Sequence, residues 1–230
     1  EGTEILGTIN QEVRSESLQG NLAIGCNIDG QSKEQGSKLA RFWFSNWKVQ
    51  GSMIQSRPEL AFGPILYAMH TLSRGVLNLT AQMPPLGEKE AQAVRLDAKN
   101  VSGKWMRRGI ARIDPLSRTA TFRIKGWEDS RDVAYRVAFE DRKKDGSTSE
   151  SYFEGVIRKD PIDKKEVVVA GFTGNQDTAF PNTRLVENVG IMNPDLLFFS
   201  GDQIYESVGG YGIHRTPVEL ATLNYLRKIY

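Results

Sequence analysis

Short runs of alternating apolar and polar residues dominate the chain from about residue 20 to residue 160. A period of two places successive side chains on opposite faces of a strand, so each run predicts a β-strand with one face turned to a core. Turn signals such as Asp114-Pro115 and Asp145-Gly146 separate the runs. The runs occupy residues 39–44, 75–81, 93–97, 119–124, 133–139 and 152–157. Strands at this spacing predict an antiparallel β-sandwich within residues 1–160.

The segment from about residue 73 to residue 160 offers about six strands, close to the roughly seven of a fibronectin- or immunoglobulin-like sandwich. Tyr135 lies in one of these strands, and its role is open to two interpretations. It is either the tyrosine corner that such sandwiches carry or a plain core residue. The alternation predicts the strand and does not choose between these roles.

The pattern changes after a charged stretch at residues 158–166, which is the predicted domain boundary. Residues 167–172 form a continuous apolar run, which is typical of a parallel strand covered on both faces. Apolar residues then recur with a helical period over residues 184–192, and residues 195–200 form a second apolar strand. This order predicts a strand–helix–strand crossover, the basic unit of a parallel sheet.

Composition is that of an ordinary globular protein and argues against several functional classes. The 30 basic and 28 acidic residues leave a net charge of +2, so no affinity for nucleic acid is expected from charge. No run of about 18 apolar residues occurs, so we expect no transmembrane segment. Cys26 is the one cysteine, which excludes an internal disulfide or a paired-cysteine zinc site.

Two short polar segments follow the apolar strands, at residues 173–177 and 201–206. Because ligands collect beyond the carboxyl ends of strands in open parallel sheets, both segments are candidate site loops. The glycine before Asp202 allows a sharp backbone turn, and the two oxygens of that carboxylate suit a pair of hard or borderline cations. Taken alone, a Gly-Asp pair is also explained by a structural turn.

The full string over about residues 165–210 resembles the opening of the metallophosphatase domain in the alkaline phosphatase D family. It combines residues 168–176, a helix, a Pro194-Asp195 strand and the segment Gly201-Asp202-Gln203-Ile204-Tyr205-Glu206. That family carries a glycine-aspartate-x-x-tyrosine-glutamate signature and places a β-sandwich before its catalytic domain. The resemblance implies a mostly β chain, with an N-terminal sandwich over residues 1–160 and the start of an α/β metallophosphatase domain over residues 165–230.

For individual residues, the resemblance implies ligands to two metal ions, iron and calcium or another divalent pair. Asp202 corresponds to the aspartate that bridges the metals, and Tyr205 to the tyrosine that binds the iron-type metal as a phenolate. Asn175 stands where the family commonly has a cysteine, and a neutral amide is a weaker ligand for ferric iron than a thiolate. Asp177 is either an additional ligand or an aspartate that precedes the helix.

The implied activity is hydrolysis of a small phosphoester by a secreted or periplasmic enzyme. In the family's chemistry a metal-bridging hydroxide attacks phosphorus in line while both cations offset the developing charge. Two such cations need about eight ligand positions, more than the matched segments offer. The chain has two histidines: His70 is interpreted as a strand or turn residue, and His214 as an exposed residue before a helix or part of a loop over the phosphate.

The end of the chain predicts a helix that needs a partner. Thr216-Pro217 is a helix-start signal, and the pattern then stays helical to Tyr230 with an apolar face. We therefore expect the chain to be the front portion of a longer enzyme and to be inactive by itself.

Two other functions stay open. One is a non-catalytic glycan-binding or adhesion protein, in which the region of Trp43 and Trp47 stacks on a sugar, although packing of these rings in a core is the favoured interpretation. The other is a metallophosphatase-like domain that has lost one metal, which Asn175 at the usual cysteine position suggests. Metal content separates the second from an intact two-metal enzyme.

Overall fold

The chain folds mostly into β-strands. The structure is a computed structural model, and it describes residues 7–12, 14, 47–52, 54–55, 63–143, 145–174, 182–203, 205, 216–218 and 221–222. The chain divides into two units, Glu1–Lys48 and Val49–Tyr230. The elements in chain order are β1 (Tyr67–Ser73), β2 (Val76–Gln82), β3 (Ala93–Lys99), β4 (Trp105–Arg112), β5 (Thr119–Lys125), β6 (Val133–Arg142), β7 (Thr148–Ile157), β8 (Val169–Phe172), α1 (Thr183–Met192) and β9 (Leu196–Phe199).

Strands β1 to β7 form two antiparallel sheets, in the order β1-β2-β5 and β4-β3-β6-β7. Side chains from both sheets belong to one cluster of buried apolar residues. In β2, for example, Leu77 and Leu79 are fully buried, whereas Asn78 between them is exposed. This is the alternation that predicted the strand, and it shows that the period of two sorts side chains into a core face and a solvent face.

Two strands of these sheets, β1 and β4, lie outside the predicted runs. Both are edge strands with mostly exposed side chains, so their sequences carry little alternation. Strand β4 also contains a bulge: Asp97 pairs with Arg107 and Leu96 pairs with Gly109, which leaves Arg108 as the extra residue. A bulge shifts the alternation by one position and therefore hides the strand from a search for period two.

The outer face of the four-stranded sheet carries a network of charged and aromatic side chains. Asp97 is 5% exposed and accepts hydrogen bonds from Arg95 Nε at 2.9 Å and from Arg136 Nε at 3.0 Å. Arg95 also donates to Glu150 Oε1 at 2.6 Å. The Arg136 guanidinium lies 4.2 Å from the ring centroid of Tyr152, in cation–π contact. The network joins strands β3, β6 and β7 on the side away from the core.

Tyr135 is a buried residue of β6, and its ring occupies the space over the Gly155 backbone on β7. A Cβ atom built on Gly155 would lie 2.8 Å from Tyr135 Cε1, which is closer than real Cβ contacts come. The ring of His70 in β1 meets Tyr135 edge-on, with centroids 6.0 Å apart. These contacts show Tyr135 packed in the core, and the prediction that His70 is a strand or turn residue is confirmed.

Strands β8 and β9 form a separate two-stranded parallel sheet, and α1 lies between them in the chain. The helix ends at Asn193, which adopts a left-handed conformation with φ 46°. The predicted strand–helix–strand crossover is therefore present. The side chains of β9 are all exposed in the described structure, so the expectation that these strands are covered on both faces is wrong for the residues described.

No helix within the described residues is both long enough and apolar enough to cross a membrane.

Candidate metal centre

The candidate centre lies beyond the carboxyl ends of β8 and β9. Phe172 and Phe199 are register partners at these ends, and their rings stack with centroids 5.0 Å apart. The Ser200 backbone N–H donates to the Phe172 carbonyl at 2.9 Å, and the Ser200 hydroxyl donates to the same oxygen at 3.1 Å. The ladder therefore continues one residue past the strands and holds the starts of the two following loops side by side.

Asp202 and Tyr205, the two predicted ligands within the described residues, are in direct contact. Tyr205 Oη donates a hydrogen bond to Asp202 Oδ2 at 3.2 Å. The Asp202 side chain is exposed and Tyr205 is half-buried. A Cβ atom built on Gly174 would lie 3.6 Å from Tyr205 Oη, so the loop after β8 reaches the same place. The structure thus gathers a carboxylate, a phenol and the backbone that leads to residue 175.

The backbone at this point is unusual for a residue with a side chain. Asp202 has φ 56°, in the left-handed region, and Gly201 before it has φ 144°, which only glycine adopts readily. A non-glycine residue in the left-handed region costs of order 1 kcal/mol, with aspartate and asparagine tolerated best. The turn predicted from the Gly-Asp pair is confirmed, and the left-handed turn sets the direction in which the carboxylate leaves the chain.

The electrostatics of the pair favour a neutral phenol beside an anionic carboxylate. Burial raises the pKa of Tyr205, and the negative charge of Asp202 and the hydrogen bond to it raise that pKa further. At neutral pH the phenol therefore keeps its proton and donates a hydrogen bond to the Asp202 carboxylate. A phenolate at this position requires a positive charge close by, since only a cation offsets the repulsion between two anionic oxygens.

The remaining predicted ligands, Asn175 and Asp177, lie outside the described residues, as do His214 and Cys26. Among the residues that are described, no three side chains of His, Cys, Asp or Glu come together as a metal-holding group. Carboxylate and phenol oxygens are ligand types that suit hard cations such as ferric iron and calcium. The two donors are therefore of a chemical type that such ions bind, and they are fewer than the roughly six to eight oxygen ligands that calcium takes.

Asp195 is a residue whose role the sequence did not reveal. Its carboxylate is 4% exposed, lies 2.5 Å from Lys164 Nζ and accepts a hydrogen bond from the Val168 backbone N–H at 3.1 Å. The Lys164 contact, followed by the Val168 bond, holds the pKa of Asp195 below its usual range. Asp195 thus connects the start of β9 to the segment that leads into β8, which is a structural role. In the sequence, Asp195 is notable only as part of the segment that resembles the family.

A second link joins the parallel pair to the antiparallel sheets. The Arg158 guanidinium, one residue past β7, donates to Asn193 Oδ1 at 3.1 Å and to the Pro194 carbonyl at 2.9 Å. It also lies 3.7 Å from Asp195 Oδ1. The charged stretch at residues 158–166 therefore contacts the segment between α1 and β9.

Trp47 does not pack as the favoured interpretation of the Trp43 and Trp47 region predicted. Its side chain is 53% exposed, so the expectation that this ring packs in a core is wrong for Trp47. Trp43 lies outside the described residues.

No protein-family model matches this sequence, and no curated protein matches it at a significant level.

Proposed function

We propose that this protein is a metal-dependent phosphoester hydrolase of the alkaline phosphatase D type. The observation that carries the proposal is the 3.2 Å contact between Tyr205 Oη and Asp202 Oδ2 beyond the ends of a parallel strand pair. Tyr205 follows Asp202 by three positions, and the left-handed turn at Gly201 and Asp202 lets the two side chains meet beyond the ends of the strands. Their proximity supports a shared role at one centre.

The proposed fold follows the same resemblance. Strands β1 to β7 would belong to the β-sandwich region of residues 1–160, whose fibronectin- or immunoglobulin-like part spans about residues 73–160. Elements β8, α1 and β9 would begin the α/β catalytic domain of residues 165–230. The two antiparallel sheets with one shared core support the first part. The parallel β8–β9 pair with its crossover helix supports the second.

In this proposal Asp202 and Tyr205 would hold a cation pair, iron and calcium or another divalent pair, together with Asn175 and either Asp177 or another donor. Bound cations would activate the nucleophile and offset charge on the phosphoryl oxygens. The chain's own contribution is to place the ligands: the left-handed turn at Asp202 aims the carboxylate, and the contact with Tyr205 Oη shows that the two side chains reach the same point. A secreted or periplasmic location and a small phosphoester substrate belong to the proposal through the family alone.

The test measures metal content and turnover in the natural full-length protein. Asp202→Asn keeps a side chain that tolerates the left-handed turn but removes the anionic charge. We expect bound metal to be lost and hydrolysis of p-nitrophenyl phosphate or its diester to fall by about 100-fold or more. Asp163→Asn, an exposed aspartate of the segment before β8, is the matched control and leaves both unchanged.

Two outcomes would contradict the proposal. Full turnover in Asp202→Asn removes the metal role from this carboxylate. A wild-type protein that holds one metal and turns over no phosphoester points instead to a domain that has lost one cation, as asparagine at position 175 suggests.

The exposed Trp47 ring favours a second candidate function, glycan binding. An exposed indole offers a flat apolar face on which a sugar ring can stack. Binding of the protein to a glycan array, lost in Trp47→Ala and kept in Asp202→Asn, would support this function over hydrolysis.

A further inference from the structure

A cavity of about 440 Å³ opens at one end of the antiparallel sheets, far along the chain from Asp202. It lies where the end of β3, the start of β4 and the segment after β5 meet. Its apolar lining includes Val101, Met106 and Trp127, of which Trp127 is 4% exposed. Cavities of this size accommodate small organic molecules.

Cationic side chains dominate the charged part of the lining. Lys99, Arg108 and Arg131 line the cavity, and Glu128 is the acidic residue among them. The Glu128 carboxylate already accepts hydrogen bonds from the hydroxyl and backbone N–H of Ser130. The Lys99 ammonium lies 5.1 Å from the ring centroid of Trp105, so this charge is stacked on an aromatic ring. Arg108 is also stacked on a ring, but on that of Trp127, which itself lines the cavity, so Arg108 and Arg131 are the cations beside its apolar lining.

Arg108 lines the cavity from the bulge in β4. Because Arg108 is the extra residue between the Asp97–Arg107 and Leu96–Gly109 pairs, the alternation of β4 is shifted at this point. Its guanidinium lies 5.4 Å from the ring centroid of Trp127. A bulge next to a cavity is a known way of redirecting a side chain toward a ligand.

Arg131 is held loosely by its own chain. Its guanidinium donates to the Asp132 carbonyl at 3.3 Å and to the Lys99 carbonyl at 3.4 Å, and Nε lies 4.0 Å from Glu128 Oε2. All three distances are at the long end for such contacts. Within the described structure, the covered atoms Arg131 Nε and Trp127 Nε1 have no hydrogen-bond partner. Two donors without acceptors at one cavity are costly unless something supplies the acceptor.

We propose that this cavity binds a small organic anion, with a carboxylate or phosphoryl group at Arg108 and Arg131 and an apolar body against Trp127 and Met106. A guanidinium bond to an oxyanion is about 2.7–2.9 Å long and is frequently bidentate, whereas the carbonyl contacts that Arg131 makes are longer. The Arg131 side chain is 37% exposed, so it can turn toward the ligand and bring its Nε into contact. This site is independent of the metal centre and of the function proposed there.

The test follows the indole N–H signals of the full chain labelled with ¹⁵N-tryptophan. The four tryptophans give four signals, and Trp43→Phe, Trp47→Phe and Trp105→Phe identify that of Trp127 by elimination. The probes are phenyl phosphate and benzoate, with benzamide as the uncharged counterpart. We expect saturable shifts of the Trp127 signal with at least one anion, and binding of benzamide at least about tenfold weaker. The tighter anion identifies the oxyanion class.

Substitutions then assign the binding to the two arginines. Arg108→Gln and Arg131→Gln each weaken anion binding by about tenfold, while Arg123→Gln, the same change on the exposed face of β5, leaves it unchanged. Unshifted signals of the other three tryptophans confirm that each variant is folded. The proposal is overturned if neither anion shifts the Trp127 signal, if benzamide binds equally well, or if both arginine variants bind like the wild type.

Discussion

The parallel strand pair has a more continuously apolar sequence than the antiparallel sheets, yet it buries less of it. Leu96 in β3 is fully buried, whereas Leu197 in β9 is half exposed. The apolar side chains of both antiparallel sheets share one buried cluster. The parallel pair is organised instead by contacts at its ends, the stacked Phe172 and Phe199 rings and the ion pair of Asp195. Apolar sequence alone therefore does not create a core, because a core requires a second layer.

The largest expected effect comes from removing one leucine of the shared core. Leu96→Ala should lower the free energy of unfolding by about 3 kcal/mol, since it removes buried methyl groups and leaves a cavity. Leu197→Ala is the matched change in the parallel pair, and it should cost less than about 1 kcal/mol. Denaturant unfolding followed by circular dichroism measures both. Equal costs would show that the two regions are packed alike.

A glycine substitution tests how closely the core of the sheets is packed. In Gly155→Ala the new methyl group meets the Tyr135 ring, and we expect a loss of about 2 kcal/mol in the free energy of unfolding. Gly171→Ala in β8 adds the same methyl group where nothing lies within 4 Å, so stability should stay within about 0.5 kcal/mol. Thermal unfolding of both variants provides the comparison. An unchanged Gly155→Ala protein would mean that the ring can move aside.

We expect faster local opening of the parallel strand pair when the polar contacts of Asp195 are removed. Asp195→Asn gives up the ion pair with Lys164 and weakens the acceptor of the Val168 N–H. Hydrogen exchange at Val168 should become about fivefold faster, while the buried strands of the antiparallel sheets exchange as before. Slower or unchanged exchange at Val168 would contradict the role assigned to Asp195.

The smallest effect concerns the acid stability of the outer network of the sheets. The hydrogen bond from Arg95, with a further one from Tyr152, lowers the pKa of Glu150 to about 2. Because the folded pKa lies below that of the unfolded chain, the stabilisation is complete above about pH 4.5 and is lost as the pH falls toward about 2. The carboxylate is 35% exposed, so solvent screening keeps the effect below about 1 kcal/mol.

Glu150→Gln should flatten this part of the curve of unfolding free energy against pH. Glu140→Gln, which changes a more exposed carboxylate of the neighbouring strand β6, is the control and should leave the curve unchanged. A Glu150→Gln protein with the wild-type curve would mean that the ion pair adds nothing to stability.

The strands with a buried face were predictable, because burial of one face enforces alternation. Residues 75–81 and 119–124 anticipated β2 and β5 almost to the residue, and the helix over 184–192 anticipated α1. The edge strand β4 was not predictable in the same way, since the bulge at Arg108 interrupts its period. Whether a strand lies at an edge or contains a bulge depends on its pairing with another strand. The pattern of residues within one segment carries no information about that pairing.

The candidate centre was predictable in its position and only partly in its members. The contact between Asp202 and Tyr205 follows from a short sequence separation and a glycine turn. The role of Asp195 depends on Lys164, some thirty residues earlier in the chain, and no spacing rule links them. The cavity beside Trp127 likewise combines residues of three chain segments that meet only after folding.

The exposed apolar side chains of β8 and β9 should bind hydrophobic dyes. An environment-sensitive dye such as anilinonaphthalene sulfonate brightens on surfaces of this kind. The fluorescence of the dye should decrease when another polypeptide binds over the exposed faces of β8 and β9. Binding to these faces can therefore be followed by fluorescence. A screen for a partner that covers these faces then needs no substrate.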